Sequence, residues 1–152
     1  MDTLIIFGAK YLYLISIAVA AVYFVRESGG KRKRIFIFAC FALPIIYIVA
    51  KITGIFYYDA RPFVVGNFIP LIPHAPDNGF PSDHTLLTSA LAAIVTRFNR
   101  RTGAVLWLVA LLVGASRVAA GIHHPIDIIG AMAISLAVVV ALSYFFKKPN
   151  AA

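Results

Sequence analysis

The sequence predicts an all-α membrane protein, a polytopic helical bundle that forms a single domain over residues 1–152. Three observations predict this fold. Hydrophobic residues make up 61% of the chain and its mean hydropathy is +0.89, so the outside of one compact domain must face lipid. Long apolar segments alternate with short polar connectors, and most of the excess positive charge lies in those connectors, as membrane topology requires.

About five transmembrane helices are predicted, and two of them look short. Their approximate bounds are 4–25, 35–58, 84–97, 104–120 and 126–146. Because a bilayer core of about 30 Å needs about 20 helical residues, the first, second and fifth segments span it fully, while the third and fourth do not. A helix that begins or ends at a polar site below the membrane surface need not cross the full thickness. We expect the first segment to be a retained span, because Asp2 stands where a signal peptide has basic residues.

Basic connectors predict the orientation. The predicted cytoplasmic connectors are 26–34, which we expect to be flexible, 97–103 and Lys147–Lys148. With these inside, an odd number of spans puts Met1 outside. The long connector 59–83, expected to be an ordered lid or rim, and the turn at His123 then lie outside with all four histidines and five of the six acidic residues. We therefore predict a multi-pass protein of the plasma (inner) membrane whose active site faces outward or the periplasm.

The sequence predicts that the protein has no disulfide, no metal or cofactor, and no nucleic-acid partner. Cys40 is the only cysteine, so a disulfide or a thiolate metal cluster within the chain is excluded, and we expect Cys40 to be a small packed core residue. The carboxylates do not form the cluster that a magnesium site needs, so we predict no metal and no cofactor. The formal charge of +8 lies between apolar segments, which makes nucleic acid a poor candidate partner.

His123 and Asp127 are the first candidate catalytic pair. Pro125 suits the first turn of the fifth helix, so Asp127 lies in that turn and its carboxylate can reach back to His123. A carboxylate that holds one imidazole nitrogen leaves the other free to attack. Asp127 is equally well placed to cap the helix N-terminus. His124 is the competing nucleophile, but as an adjacent residue it points elsewhere and is expected to line the site or the interface.

The run Pro81-Ser82-Asp83-His84 opens the third helix at the same predicted face. Free backbone N–H groups at a helix N-terminus, including that of Asp83, favour an anion, and Ser82 can donate a hydroxyl hydrogen bond. His84 is a candidate general acid that protonates a leaving oxygen and afterwards activates water. The alternative for this run is a serine or aspartate N-cap followed by a histidine at the lipid interface.

Three cations complete the candidate site. Arg61 and Arg117 can bind phosphate oxygens with their guanidinium forks, although an arginine at a membrane edge, such as Arg61, often only anchors the helix there. Arg117 lies near the end of an apolar helix, where an uncompensated charge is costly. Lys51 lies deep in the second segment and needs a partner, either an anion in the site or Asp59.

These residues resemble the three-part signature of the type 2 phosphatidic acid phosphatase (PAP2) superfamily. The second part matches at 81–84, and the third matches in full at Ser116, Arg117, His123 and Asp127. The run 78–85, with aspartate where many members have glycine, looks most like the bacitracin-resistance type of undecaprenyl pyrophosphate phosphatase. The first part departs from the pattern. The family's lysine stands seven residues before the arginine, the position of Gly54 here, whereas Lys51 lies ten before Arg61, and members are described with six spans instead of five.

The resemblance implies a PAP2/chloroperoxidase-like helical core and a metal-free lipid phosphatase. The residues that it implies for binding the terminal phosphate are Arg61, Ser82, Arg117 and Lys51, with the backbone of Asp83. It also implies that His123, oriented by Asp127, forms a phosphohistidine, and that His84 protonates the leaving group and then activates water.

The leading functional hypothesis is hydrolysis of a polyprenyl pyrophosphate, undecaprenyl pyrophosphate in particular, to the monophosphate at the outer membrane–water interface. One alternative within the enzyme class is a phosphatase for another lipid phosphate, such as phosphatidylglycerol phosphate or phosphatidic acid. The alternative outside it is a small transporter or scaffold that binds an anion or a headgroup without turnover. The predicted partners are the lipid substrate and the bilayer, and a homodimer is left open.

Overall fold

The computed structural model describes residues 1–146, so the predicted basic pair Lys147–Lys148 lies outside the described residues. The helices, in order, are α1 (Asp2–Arg26), α2 (Gly29–Phe56), α3 (Pro62–Val65), α4 (Asp83–Phe98), α5 (Arg100–Ala119) and α6 (Pro125–Phe145). Residues 1–146 form no β-strand, and Ala60 and Asn78 make one isolated β-bridge. The prediction of an all-α bundle is confirmed.

Within the described residues, four helices are long and apolar enough to cross a membrane, namely α1, α2, α5 and α6. The third predicted segment is indeed short, since α4 has only 16 residues. The prediction that the fourth segment is short is wrong, because α5 begins at Arg100 and has 20 residues. The chain is a multi-pass membrane protein in which a shorter helix is held among longer ones.

The two basic connectors are shorter than predicted, because helix extends into both. α2 begins at Gly29, so most of the predicted flexible connector 26–34 is helical, and Lys31 pairs with Glu27 at 2.8 Å across the turn. Asn99 alone separates α4 from α5, and its side chain accepts a hydrogen bond from the backbone N–H of Thr102 at 3.1 Å. Lysine and arginine are good helix formers and asparagine is a good N-cap, so neither stretch needs to be a loop.

α4 lies at the centre of the bundle and packs against α1, α2, α5 and α6. Its hydroxyl side chains Thr85, Thr88 and Ser89 are fully buried and donate hydrogen bonds inside the protein. Ser89 donates to the carbonyl of Thr85 at 2.7 Å and lies 2.9 Å from the hydroxyl of Ser135 on α6. Small and hydroxyl-bearing residues let membrane helices approach closely. Because its neighbours shield it from lipid, a helix of this length can hold a polar site at its N-terminal end.

The outer faces of the long helices are apolar and exposed, as expected for lipid contact. Phe36 and Tyr47 on α2 are 59% and 57% exposed. On the opposite side of the same helix, Phe38 and Ile46 are buried in a core shared with α4 and α6. The prediction that Cys40 is a core residue is wrong, because it is exposed on the side of α2 away from Phe38.

Candidate active site

One cavity of about 420 Å³ opens where α4 and α6 begin and α2 and α5 end. The residues with charged or imidazole side chains that line it are Lys51, Arg61, His74, Asp77, Asp83, His84, Arg117 and His123. Ser82, directly before α4, and Asp127, in the first turn of α6, are fully buried. The fold therefore brings the predicted site residues together from four separate stretches of the chain.

Asp127 holds His123 and caps α6 with the same oxygen. Its Oδ2 lies 3.0 Å from Nδ1 of His123 and accepts the backbone N–H of His124 at 2.9 Å. The side chains of His123 and Asp127 are 2% and 0% exposed. Both alternatives drawn from the sequence for this carboxylate are thus correct. His124 itself points away from His123, and its Nδ1 lies 3.2 Å from Oδ2 of Asp59.

Two arginines fix the tautomer of His123. Nη1 of Arg61 and Nη2 of Arg117 each lie 3.3 Å from Nε2 of His123. A guanidinium only donates, so Nε2 is the acceptor and Nδ1 carries the proton that bonds Asp127. Burial lowers the pKa of His123 below its ordinary 6.5, the hydrogen bond to Asp127 opposes this, and the charges of Arg117 and Arg61 lower it further. The imidazole is therefore neutral at pH 7, with its lone pair on Nε2.

Both arginines are buried, each only 5% exposed, and are held by other groups as well. Arg61 precedes α3 and donates to the carboxylate of Asp77 at 2.7 Å and to the carbonyl of Ile122 at 2.8 Å. Arg117 donates through Nη1 to the carbonyl of Ala9 in α1 at 3.2 Å. Its Nε is buried and finds no acceptor within residues 1–146. Arg61 thus lies buried at the cavity, whereas an anchor at the membrane edge would be exposed.

Ser82 and His84 lie at the N-terminus of α4. Ser82 occupies the N-cap position, but its hydroxyl makes no cap bond and instead accepts a hydrogen bond from Thr85 at 3.2 Å. Since that bond uses a lone pair, the proton of Ser82 remains free to donate. His84 lines the cavity, and its ring packs edge-on against Tyr13 of α1 with 4.9 Å between ring centroids.

Lys51 stands apart from the arginines. Its Nζ lies 3.4 Å from Oδ1 of Asp83. The expected pairing with Asp59 is therefore wrong, because Asp59 pairs with His124. At Gly54, where the family's lysine is expected, an added Cβ would lie 3.0 Å from the carbonyl oxygen of Phe80. The connector therefore packs directly over that position of α2.

Two site residues were missed in the sequence, and both come from the connector between α3 and α4. The ring of His74 lies 6.2 Å from that of His123 between centroids, and Asp77 binds Arg61. Asn78 fixes this connector by donating to the carbonyls of Gly54 and Tyr57 at 2.9 and 3.1 Å. A histidine and an acid spaced among prolines were the available signal, but their positions depend on how the connector folds back.

Asp59, His124 and Asp127 form a group that could hold a cation, since each offers a ligand atom within 4.8 Å of the others. The sequence did not indicate this group. His124 already bonds both carboxylates, Asp59 through its ring and Asp127 through its backbone N–H. These internal hydrogen bonds account for the arrangement without an ion.

The three-part pattern and its geometry agree with a comparison of sequences. The model of the PAP2 superfamily matches residues 10–151. The chain belongs to the PAP2 superfamily. The resemblance inferred from the motifs is therefore confirmed, and it extends over nearly the whole chain.

Two similar proteins come from Bacillus species. The chain is 34% identical to the bacitracin transport permease protein BcrC of Bacillus licheniformis, over 99% of this chain and 73% of that protein. It is 30% identical to the undecaprenyl-diphosphatase BcrC of Bacillus subtilis, over 90% of this chain and 70% of that protein.

Two solved structures share the PAP2 fold. The crystal structure of LpxE from Aquifex aeolicus aligns with a TM-score of 0.69 at 20% identity, covering 91% of this chain and 80% of that one. The transmembrane PAP2 type phosphatidylglycerolphosphate phosphatase of Bacillus subtilis aligns with a TM-score of 0.58 at 18% identity, covering 95% and 73%. At these identities the likeness concerns the fold.

Proposed function

We propose that the protein is a membrane lipid phosphatase that hydrolyses a polyprenyl diphosphate, undecaprenyl diphosphate in particular, to the monophosphate. The observation that carries this proposal is the convergence of Arg61 and Arg117 on Nε2 of His123, whose Nδ1 is held by a buried carboxylate. Membership of the PAP2 superfamily supports the phosphatase class, and the likeness to the undecaprenyl-diphosphatase of B. subtilis supports the substrate class.

The first half of the reaction is transfer of the terminal phosphoryl group to His123. The lone pair on Nε2 attacks phosphorus, a P–N bond forms, and the P–O bond to the lipid phosphate breaks. His84 donates a proton to the departing oxygen. The non-bridging oxygens are held by Arg61, Arg117, Ser82 and the backbone N–H of Asp83, which stabilise the charge that spreads over them. Asp127 stabilises the imidazolium that forms.

The second half is hydrolysis of the phosphohistidine. His84, now neutral, takes a proton from water, and the resulting oxygen nucleophile attacks phosphorus as the P–N bond breaks. Inorganic phosphate leaves and His123 regains its lone pair. A transporter or scaffold that only bound a headgroup would need the cations, but it would not need a neutral histidine oriented by a buried acid.

Substrate preference tests this proposal. Purified protein in detergent is given undecaprenyl diphosphate, phosphatidylglycerol phosphate or phosphatidic acid at equal surface concentration, and phosphate release is timed. We expect kcat/KM for the diphosphate to be about tenfold higher or more, since one additional charge-assisted contact is worth about that factor. The His123→Ala protein, purified alongside, measures contaminating phosphatase. A preference for either phosphomonoester would contradict the assignment.

We also propose that the site faces the outside of the plasma membrane, with the basic ends of α1, α2 and α5 in the cytoplasm. The test uses single cysteines in a Cys40→Ala background, at Ile69, which is 94% exposed in the connector, and at Lys33, which is exposed on α2. A membrane-impermeant maleimide should label Ile69→Cys in intact cells and Lys33→Cys only after permeabilisation. The reverse pattern would overturn the orientation.

A further inference from the structure

Positively charged side chains line the cavity at two separate places. Arg61 and Arg117 meet at Nε2 of His123, where both guanidinium groups are buried. Lys51 enters from α2, and its side chain is 54% exposed. Its Nζ lies 3.4 Å from the carboxylate of Asp83. The cavity therefore contains a buried cationic centre at the nucleophile and a more exposed one on the side of α2.

The second centre lies beside the proton donor. Asp83 and His84 are consecutive residues of the first turn of α4, and both line the cavity. Lys51 contacts Asp83, the residue directly before His84, whereas the cations in contact with His123 are Arg61 and Arg117. The oxygen that His84 protonates is the one that departs with the leaving group. A cation beside His84 is thus placed to meet charge on the leaving group.

From these positions we propose that Lys51 forms a second phosphate subsite, which binds the leaving phosphate of a diphosphate substrate. The inference rests on the proposed function. In a prenyl diphosphate the leaving group is itself a phosphate, so negative charge develops on it as the bridging P–O bond breaks. A phosphate monoester with an alcohol leaving group presents no such anion to Lys51. The lysine therefore selects diphosphates over monophosphates.

Exposure of the lining residues increases from the nucleophile to the rim of the cavity. His123 is 2% exposed, Lys51 is about half exposed, and Ile55, one turn further along α2, is 79% exposed and also lines the cavity. A prenyl diphosphate runs from the terminal phosphate through the second phosphate to the apolar tail. With the terminal phosphate at the buried His123, the second phosphate is left to the more exposed Lys51 in the same cavity, and the apolar tail to the exposed rim.

Lys51 can exchange its carboxylate partner, Asp83, for a phosphate. Its ion pair with Asp83 joins two exposed side chains, and such pairs contribute little to stability. The ammonium can therefore leave one carboxylate oxygen for the oxygens of a phosphate at small cost. Gly54, on the following turn of α2, has no side chain and is covered by the carbonyl of Phe80. Lys51 is consequently the cation that α2 supplies to the cavity.

The test is the ratio of kcat/KM for farnesyl diphosphate to kcat/KM for farnesyl monophosphate. Lys51→Met is expected to lower this ratio about tenfold, the factor of one charge-assisted hydrogen bond. Lys51→Arg, which keeps the charge, should restore most of the ratio. Lys33→Met removes the same charge from the opposite end of α2 and should leave the ratio unchanged. Lys51→Gln replaces Lys51→Met if the latter unfolds at a lower temperature than the wild type.

Two results would overturn the subsite. If both substrates lose the same factor, Lys51 touches the cleaved phosphate, and if neither loses activity, it binds no phosphate. Failure of the proposed function has a different signature, namely a wild-type protein that does not hydrolyse farnesyl diphosphate. In that case, inhibition of monophosphate hydrolysis by methylenediphosphonate and by inorganic phosphate is compared. If the subsite exists, methylenediphosphonate should bind about tenfold more tightly than inorganic phosphate, and Lys51→Met should remove this difference. Equal inhibition of the wild-type protein by both anions would contradict the subsite.

Discussion

Replacing His123 with alanine is expected to lower phosphate release by about 10⁴-fold or more, because removal of a covalent nucleophile leaves only binding and charge stabilisation. In the proposed reaction, the lone pair on Nε2 attacks phosphorus, and burial together with the two arginines keeps the imidazole neutral. The measurement is the initial rate of release of inorganic phosphate from undecaprenyl diphosphate by the purified variant.

The His123→Ala protein should still fold and insert. Asp127 keeps its capping bond to the backbone N–H of His124, and Arg61 keeps its bond to the carbonyl of Ile122. A cooperative thermal transition close to that of the wild type would therefore accompany the loss of activity.

His124→Ala is the matched control, since it removes the adjacent histidine and its bond to Asp59. We expect a loss of less than about tenfold, the effect of one neutral hydrogen bond away from the reacting atoms. If His124→Ala were the inactive variant and His123→Ala retained turnover, the nucleophile would be His124. Trapping an acid-labile phosphoryl group on the wild-type protein, and none on His123→Ala, would test the covalent step directly.

Local geometry explains why the pair of His123 and Asp127 could be predicted from the sequence. Pro125 marks the first turn of a helix, and residues four apart around such a start lie within hydrogen-bond reach. The observed 3.0 Å contact needs no knowledge of the remaining chain. The charged connectors likewise predict the order of the helices, because they separate the apolar segments.

Long-range geometry explains what could not be predicted. Arg61 is bound by Asp77, sixteen residues later, and the path of the connector between them is not encoded in a periodic pattern. Gly79 illustrates the same limit. An added Cβ there would lie 2.9 Å from Oδ2 of Asp127 and 3.2 Å from the carbonyl oxygen of Asp59. The connector therefore passes directly over the carboxylate of Asp127, which only the folded arrangement reveals.

The predicted helix bounds differ from the observed ones for another reason. Charged runs at 31–34 and 100–101 were interpreted as connectors because they are polar, yet lysine and arginine extend helices readily. In a membrane protein, polarity marks where a helix leaves the bilayer and not where it ends. The predicted connectors were therefore too long, while the order of the helices was correct.

Arg117→Lys is expected to lower kcat/KM by about 10²-fold or more, although the charge is kept. Within residues 1–146, the guanidinium of Arg117 makes two contacts and leaves a third donor unused. Nη1 donates to the carbonyl of Ala9, Nη2 lies 3.3 Å from Nε2 of His123, and Nε is buried without an acceptor among the described residues. An ammonium is a single point donor, so a lysine can reach the carbonyl or the phosphate but cannot keep the planar fork between them.

Arg117→Lys also distinguishes a role of Arg117 in catalysis from a role in helix packing. The bond from Arg117 to Ala9 ties α5 to α1, so Arg117→Lys should also lower the unfolding temperature slightly, and kcat/KM is therefore measured well below that transition. Arg26→Lys, at the exposed end of α1, is the control for the substitution itself. Near-normal turnover in a destabilised Arg117→Lys protein would mean that this arginine only joins helices. A large loss of turnover in a folded protein requires that its fork holds the phosphoryl group during transfer, since the net charge has not changed.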